Sequence, residues 1–431
     1  MQVSFFRALT LSSLIVTAGN ACAYLTQILL ARLLPPPEFG AANAILALSL
    51  ATAAPLAITP MLIARMLLTH AGQPLVQAGL MRQVLAASLG IALLIWLAHL
   101  PLGDMIGQRL QVSPAIAYAL LPGAVASAFL SYVPVGYWQG VRRYSLMALA
   151  SAANPILRLL GVVGFVAILN AGLPGAIWAL IAPGLVVFAW GAMAALQVDA
   201  PAIAPPKSTW TSALRFAGPS SLAMLGLMGL AYVDQPIVRA LASPEASGHY
   251  AAAATLAKIA LLLPAAVTAV IFPEAARLAA GPAAAPGDPE LPEAARRATV
   301  RLINGALLAT LAMSGAASAA MIAAPKPMLR LFLGAAYGDA ALLLQLLAPA
   351  MTLLAVCNLL VTYALARNRF ELTWATLSAL AGAVSVLLVL QPGPLGAAIV
   401  MLIALAVLCA ICLAWLARHT TTLRNPAARG A

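Results

Sequence analysis

The chain has 431 residues, 63% of them apolar and 8% charged, whereas average soluble domains carry about 25% charged residues. A soluble globule of this length needs a charged exterior, so the composition excludes one and predicts an all-α polytopic membrane protein. A net charge of +12 would point to nucleic acid in a soluble domain; here it is a topology signal, and no nucleic-acid partner is expected.

At about 20 apolar residues per span, about twelve helices are expected. The first six lie near 8–31, 41–64, 80–102, 114–139, 146–169 and 174–196. The second six lie near 214–241, 249–273, 298–324, 338–365, 372–391 and 394–417. Arg7 before an apolar run ending in Ala21-Cys22-Ala23 resembles a cleaved signal, yet an internal repeat includes this region, so it reads as a retained first helix. Pro55, Pro122, Pro155, Pro183 and Pro264 fall within helices, where neighbours can satisfy the freed carbonyls. Residues 197–213 read as a cytoplasmic linker between lobes 1–196 and 214–431, the second ending in a cytoplasmic tail. The Pro/Ala-rich stretch 274–297 reads as a flexible connector.

Orientation follows from the excess of Lys and Arg on the cytoplasmic side. With the N-terminus inside, that side holds Arg7, Arg65, Arg82, Arg142, Arg143, Lys207, Arg215, Arg277, Arg296, Arg297, Arg301, Arg367, Arg369, Arg418, Arg424 and Arg429. The outer side holds Arg32, Arg109, Arg239, Lys326 and Arg330, and Arg158 and Lys258 lie inside helices. Both termini are expected in the cytoplasm.

Cys22, Cys357, Cys409 and Cys412 all lie in apolar runs. Cys409-x-x-Cys412, with no second pair, reads as two small apolar residues one turn apart rather than a metal or redox site. His70 and His419 fall in cytoplasmic segments and His99 and His249 near outer helix ends, none at metal-ligand spacing. No metal, cofactor or catalytic residue is expected; His249 is a minor candidate for proton sensing.

The chain repeats itself. Ala23-Tyr24-x-x-Gln27 leading to Pro37-Glu38-Phe39-Gly40 returns as Ala231-Tyr232-x-x-Gln235 leading to Pro244-Glu245-Ala246-Ser247-Gly248. Pro55 pairs with Pro264, Ala64-Arg65 with Ala276-Arg277, and Arg143-Tyr144-Ser145-Leu146 with Arg369-Phe370-Glu371-Leu372. An even number of helices per half predicts parallel repeats, with a substrate path between two pseudo-symmetric lobes and alternating access.

The segments ARLLPPPEFGAANAI, VDQPIVRALASPEASGHYAAA, GYWQGVRRYSLMAL and PMLRLFLGAAYGDAALLLQLLAPA resemble the bacterial polysaccharide or oligosaccharide flippases of the multidrug/oligosaccharidyl-lipid/polysaccharide exporter superfamily. The resemblance covers nearly the whole chain. It implies a MATE-like fold of two six-helix bundles in the inner membrane. It also implies translocation of an undecaprenyl-diphosphate-linked glycan, such as a lipopolysaccharide O-antigen precursor.

Asp234 and Lys258 stand on consecutive helices, roughly 10 to 14 Å below the outer interface at about 1.5 Å per residue. They read either as a structural ion pair or as a proton- or ion-linked coupling switch, since intramembrane ionisable residues often mark transport pathways. Ser151, Asn154 and Arg158 share one helix face. A guanidinium near the midplane suits a diphosphate, or it serves a local role on a carbonyl freed by Pro155 or a neighbouring polar group. Asn20, Tyr24 and Gln27, with Tyr232 and Gln235 repeating part of the stripe, face either the cleft and sugar hydroxyls or neighbouring helices. Gln345 and Asn358 are weaker candidates.

The leading expectation is a lipid-linked glycan flippase that acts as a monomer among membrane lipids, with a polysaccharide polymerase or glycosyltransferases as candidate partners. No nucleotide-binding motif is visible, so an ion gradient or the membrane potential is the expected energy source. The alternatives are a multidrug or cation antiporter of the same superfamily, which would favour an acidic cleft, and a membrane glycan ligase or acyltransferase, which would need larger outer loops.

Overall fold

A computed structural model describes residues 2–197, 203, 206–264, 267, 293–367 and 369–424. The described residues contain helix and no strand, as hydrocarbon demands: an α-helix satisfies its backbone polar groups within the segment. Among the described residues eleven helical stretches are long and apolar enough to cross a membrane, which makes this a multi-pass membrane protein. The expected span near 249–273 is helical from Pro244 to Leu262, and most of its remainder lies outside the described residues. Of the connector expected over 274–297, residues 274–292 with Arg277 lie outside them too, as does Arg429 in the tail, and the rest is helical from Glu293. Of Arg7, Lys207, Arg296 and Arg424, only the backbone is described.

The chain forms two compact units, Met1–Met224 with Gln235–Ala251 and Phe332–Gly334, and Leu225–Asp234 with Ala252–Leu331 and Ala335–Ala431. In the first, α1 (Gln2–Leu33) runs along α8 (Tyr144–Gly161). Their backbones approach at Gly19, where a Cβ would stand 2.9 Å from the Ala152 Cα. Next come α2 (Pro36–Ala53), α3 (Thr59–Thr69), α4 (Pro74–His99), α5 (Gly103–Leu110), α6 (Leu121–Leu130), α7 (Tyr132–Gly140) and α9 (Gly172–Leu196). Ile63, Leu67, Leu80, Met81 and Val133 form the buried meeting point of α3, α4 and α7.

The prolines act more locally than whole-helix kinks. Pro55 lies in a 3₁₀ turn, Ala54–Ile58, that separates α2 from α3. Pro122 follows a π-helical stretch, Ile116–Leu120, that runs straight into α6, so its missing N–H removes a helical hydrogen bond there; Pro155 and Pro183 lie inside α8 and α9.

Two expectations about the middle of the chain are corrected. The stretch expected to be linker up to residue 213 is helical from Lys207, the start of α10 (Lys207–Tyr232). It is tied down by Trp210 Nε1 donating to Gln83 Oε1 at 3.1 Å, by Thr209 to His70 at 2.9 Å, and by the Ile203 N–H donating to the Leu75 carbonyl at 3.2 Å. The helix expected over 214–241 is broken at Val233, and a separate α11 (Asp234–Leu241) begins at the acid. A carboxylate in a first turn is favoured by the partial positive charge of the helix N-terminus.

The second unit is built around α15 (Ala341–Ala366), which packs on α13 (Glu293–Ala323) and α17 (Gly393–Arg424). The remaining helices after α12 (Pro244–Leu262) are α14 (Pro325–Phe332) and α16 (Glu371–Leu390). Ser314 of α13 donates to Thr352 of α15 at 3.0 Å, and Gly226 lets α10 approach Thr376 of α16. His419, expected at the cytoplasmic interface, is 8% exposed and stacks on Trp415 with ring centroids 5.2 Å apart. Cys357, Cys409 and Cys412 are buried and free.

Between α6 and α9 the Ser127 hydroxyl donates to the Ile181 carbonyl at 2.6 Å, and Gly184 packs on the same serine with no room for a Cβ. Gly184→Val should therefore lower stability by about 1–3 kcal/mol, the usual cost of overpacking. Gly164→Ala, at a site with nothing within 4 Å, should be neutral; thermal unfolding of the two purified variants in detergent checks the contrast.

Candidate functional site

Polar side chains inside the helices fall into two groups, one on α1 and α8 and one around the break between α10 and α11. The first lies along α1 and α8. Because Gly19 rests on Ala152 and Pro155, Asn20 and Asn154 stand at the same level, and Tyr24, Gln27 and Arg158 follow toward the C-terminal ends of their helices. Asn20 is exposed, while Tyr24, Gln27, Asn154 and Arg158 are half-buried. The Gln27 Oε1, the Tyr24 hydroxyl oxygen and the Arg158 Nε are wholly buried atoms, and the Gln27 oxygen has no hydrogen-bond partner among the described residues.

Arg158 Nη2 donates to Asn154 Oδ1 one turn back at 3.5 Å, the long limit for such a bond. Tyr132, which the sequence reading did not single out, lies within electrostatic reach of Arg158. Four residues beyond Arg158 the helix widens into a π-helical stretch, Val162–Ile168, a departure often found at functional sites. Ser151 takes no part in this seam: it is exposed and donates to its own helix at Met147 O, 3.0 Å.

The second cluster forms around the break between α10 and α11. Lys258 is 9% exposed and Asp234 2%. The Lys258 Nζ sits 4.0 Å from the centroid of the Tyr232 ring, and the Asp234 carboxylate is close enough to act on it electrostatically. The structure therefore brings together the two charges that the sequence placed at matching depth. It adds the π face of Tyr232, a residue expected only as part of a polar stripe. A desolvated cation over a tyrosine ring gains about 2 kcal/mol. Gln235, the next residue after Asp234, is buried at 4% exposed.

The weaker candidates separate. Gln345 donates to the Ile322 carbonyl at 3.0 Å and joins two helices, whereas Asn358 is half-buried. Among the described residues no group of three His, Cys, Asp or Glu is arranged to hold a metal ion.

Arg239 is a buried cation that the sequence reading counted as an outer-loop residue. It is 4% exposed. Its Nε donates to the Leu110 carbonyl at 2.9 Å, and its Nη1 to Pro37 O at 3.0 Å, Pro244 O at 3.3 Å and the Ser247 hydroxyl at 3.0 Å. The signal for it was the short amphipathic run Gln235–Leu241 just before the repeat's turn.

The model of the family described as "Polysaccharide biosynthesis protein" matches residues 6–279. The chain belongs to that family. No curated protein matches it in sequence, but solved structures share its fold. A MATE family multidrug resistance transporter of the MOP superfamily, in an inward-facing conformation, is 16% identical with a TM-score of 0.75, over 97% of this chain and 98% of that one. The lipid II flippase MurJ is 13% identical with a TM-score of 0.71, over 96% and 90%. A MOP superfamily transporter from Pyrococcus furiosus is 16% identical with a TM-score of 0.62, over 97% and 96%. This polysaccharide biosynthesis family member thus has a transporter fold, and the proteins that share it are named as transporters and a flippase rather than enzymes.

The cation–ring contact predicts a graded response. Tyr232→Phe, which keeps the ring, should hold stability within about 1 kcal/mol, whereas Tyr232→Leu should lose about 2 kcal/mol or more. Chemical or thermal unfolding of both variants in detergent measures the difference.

Proposed function

We propose that this protein is a flippase that moves an undecaprenyl-diphosphate-linked oligosaccharide or polysaccharide precursor from the cytoplasmic to the outer leaflet of a bacterial inner membrane by alternating access. The observation that carries the reading is Arg158, a half-buried guanidinium in the last turn of α8 within the apolar span Tyr144–Ile168, where it donates to Asn154 at 3.5 Å. Burying such a charge is expensive, and its planar fork of donors matches the oxygens of a diphosphate. Asn20, Tyr24, Gln27 and Asn154 supply hydroxyl and amide groups of the kind that bind sugars. Lys258 is the second cation assigned to the phosphate during the cycle. Tyr232 and Gln235 are assigned to sugar contact in the second half of the chain.

Asp234 beside Lys258 is the proposed coupling element, with protonation or ion binding at the acid releasing the lysine. That pairing also weighs against a multidrug or cation antiporter: the buried carboxylate of this cluster already faces a cation. The two sequence repeats, 1–196 and 214–431, are the proposed moving lobes, in a monomer with both termini in the cytoplasm. Glycosyltransferases that make the lipid-linked glycan, and a polymerase that extends it, are the proposed functional partners.

Arg158→Ala and Lys258→Ala should each insert at normal level yet reduce surface glycan at least about tenfold, the effect of losing about 1.4 kcal/mol or more of transition-state binding. Immunoblotting of surface polysaccharide at native expression reads the effect. Normal surface polysaccharide in both variants would overturn the phosphate assignment.

A further inference from the structure

The repeat-related turns before α2 and α12 lie against each other. A Cβ on Gly40 would stand 2.8 Å from both the Gly248 N and the Ser247 Oγ, and one on Gly248 would collide with the Pro36 carbonyl. Both turns belong to the first compact unit, which takes in the second-half segment Gln235–Ala251. This unit thus holds a short piece of one repeat against the equivalent piece of the other.

Arg239 pins that contact. Its guanidinium joins three places at once: the Leu110 carbonyl at the end of α5, the Pro37 carbonyl in the first turn of α2, and Pro244 with Ser247 in the first turn of α12. The Leu110 carbonyl is one of the last of its helix, which lack intrahelical partners and carry the partial negative charge of the helix dipole. Neutral carbonyls and a hydroxyl thus hold this buried charge. Ser247 turns its own proton to the Pro244 carbonyl at 2.7 Å, leaving its oxygen to accept from Arg239. In the first repeat Arg32 donates at an exposed position to the Phe332 carbonyl at 3.3 Å.

We infer that Arg239 is the latch of a conformational clasp, holding α2 and α12 together in the state seen here and letting them part in another state of the cycle. Three properties support release rather than permanent bonding. The partners are short-range acceptors on three separate elements, so one rotation of a single side chain breaks all of them. The seam itself is a close backbone approach at Gly40 and Gly248, with Ser247 the side chain beside it, and that serine is one of the guanidinium's own partners. The guanidinium also has no counterpart at the aligned position of the first repeat, Ala31, so the two copies contribute unequally to the contact. The inference rests on the alternating-access reading but is read out by accessibility, so it stands or falls separately from glycan export.

The test places a cysteine beneath the clasp. Ala41 is 1% exposed and follows Gly40, so Ala41→Cys in a Cys22→Ala background should react slowly with a maleimide in purified full-length protein. Adding Arg239→Gln should raise the labelling rate at position 41 at least tenfold, and Arg239→Lys should fall between. Gly248→Ala, which wedges the seam without touching the guanidinium, should raise it as well. Buried Cys357, 0% exposed, monitors global unfolding and should stay unlabelled throughout, with sites resolved by peptide mass spectrometry. Labelling at position 41 that is unchanged in both Arg239→Gln and Gly248→Ala would overturn the clasp. So would labelling that rises equally at Cys357, because Arg239 would then be a general stabiliser.

Discussion

An apolar side chain gains little by turning from lipid to protein, so cohesion between membrane helices falls on van der Waals contact between closely approaching backbones and on a few interhelical hydrogen bonds. The packing here follows from that constraint. Gly19 brings α1 onto Ala152, Gly184 brings α9 onto Ser127, Gly40 and Gly248 bring two helix starts together, and Gly226 admits Thr376. Beside these approaches run short interhelical bonds such as Ser127 to Ile181 O at 2.6 Å and Ser314 to Thr352 at 3.0 Å. The large apolar side chains, by contrast, often point outward: Leu308 is 70% exposed and Val389 78%, the expected position for groups that face lipid.

The same constraint explains where polarity survives inside. Each internal charge comes with compensation of a different kind. Asp234 stands at a helix start and faces Lys258, whose ammonium also covers a tyrosine ring. Arg239 is surrounded by carbonyls and a hydroxyl. Arg158 has a long bond to Asn154 and lies in a half-buried polar seam.

Hydropathy made the helices legible because a span must be apolar over about 20 residues whatever its neighbours are. It could not reveal the break at Val233, since Tyr232-Val233-Asp234 sits in a run apolar enough to be read as one helix from 214 to 241. Nor could it find the helical start at Lys207, where the polar residues KSTWTS resemble a loop until Trp210 and Thr209 are seen bonded to Gln83 and His70. The depth argument for Asp234 and Lys258 needed only residue spacing and turn position, and that pair is adjacent in the structure. Arg239 and Tyr132 were missed for a common reason. Their significance lies in contacts with residues distant in sequence, Leu110 and Pro37 for one and Arg158 for the other, and periodicity carries no information about such partners.

The repeat also separates what is shared from what is particular. The tyrosine, the glutamine and the turn glycine recur in both halves, so they are requirements of a common scaffold. Asp234, Lys258 and the buried Arg239 all lie within the second copy, in one stretch of about 25 residues, while Arg158 belongs to the first. A duplicated scaffold whose two copies carry different charges pairs equivalent backbone elements with unequal energies. In the proposed alternating-access cycle, a motion between equivalent arrangements needs an energetic bias to run in one direction, and the stretch from Tyr232 to Lys258 is the proposed place for it. The break between α10 and α11, the cation over the ring and the guanidinium on three carbonyls all fall within it.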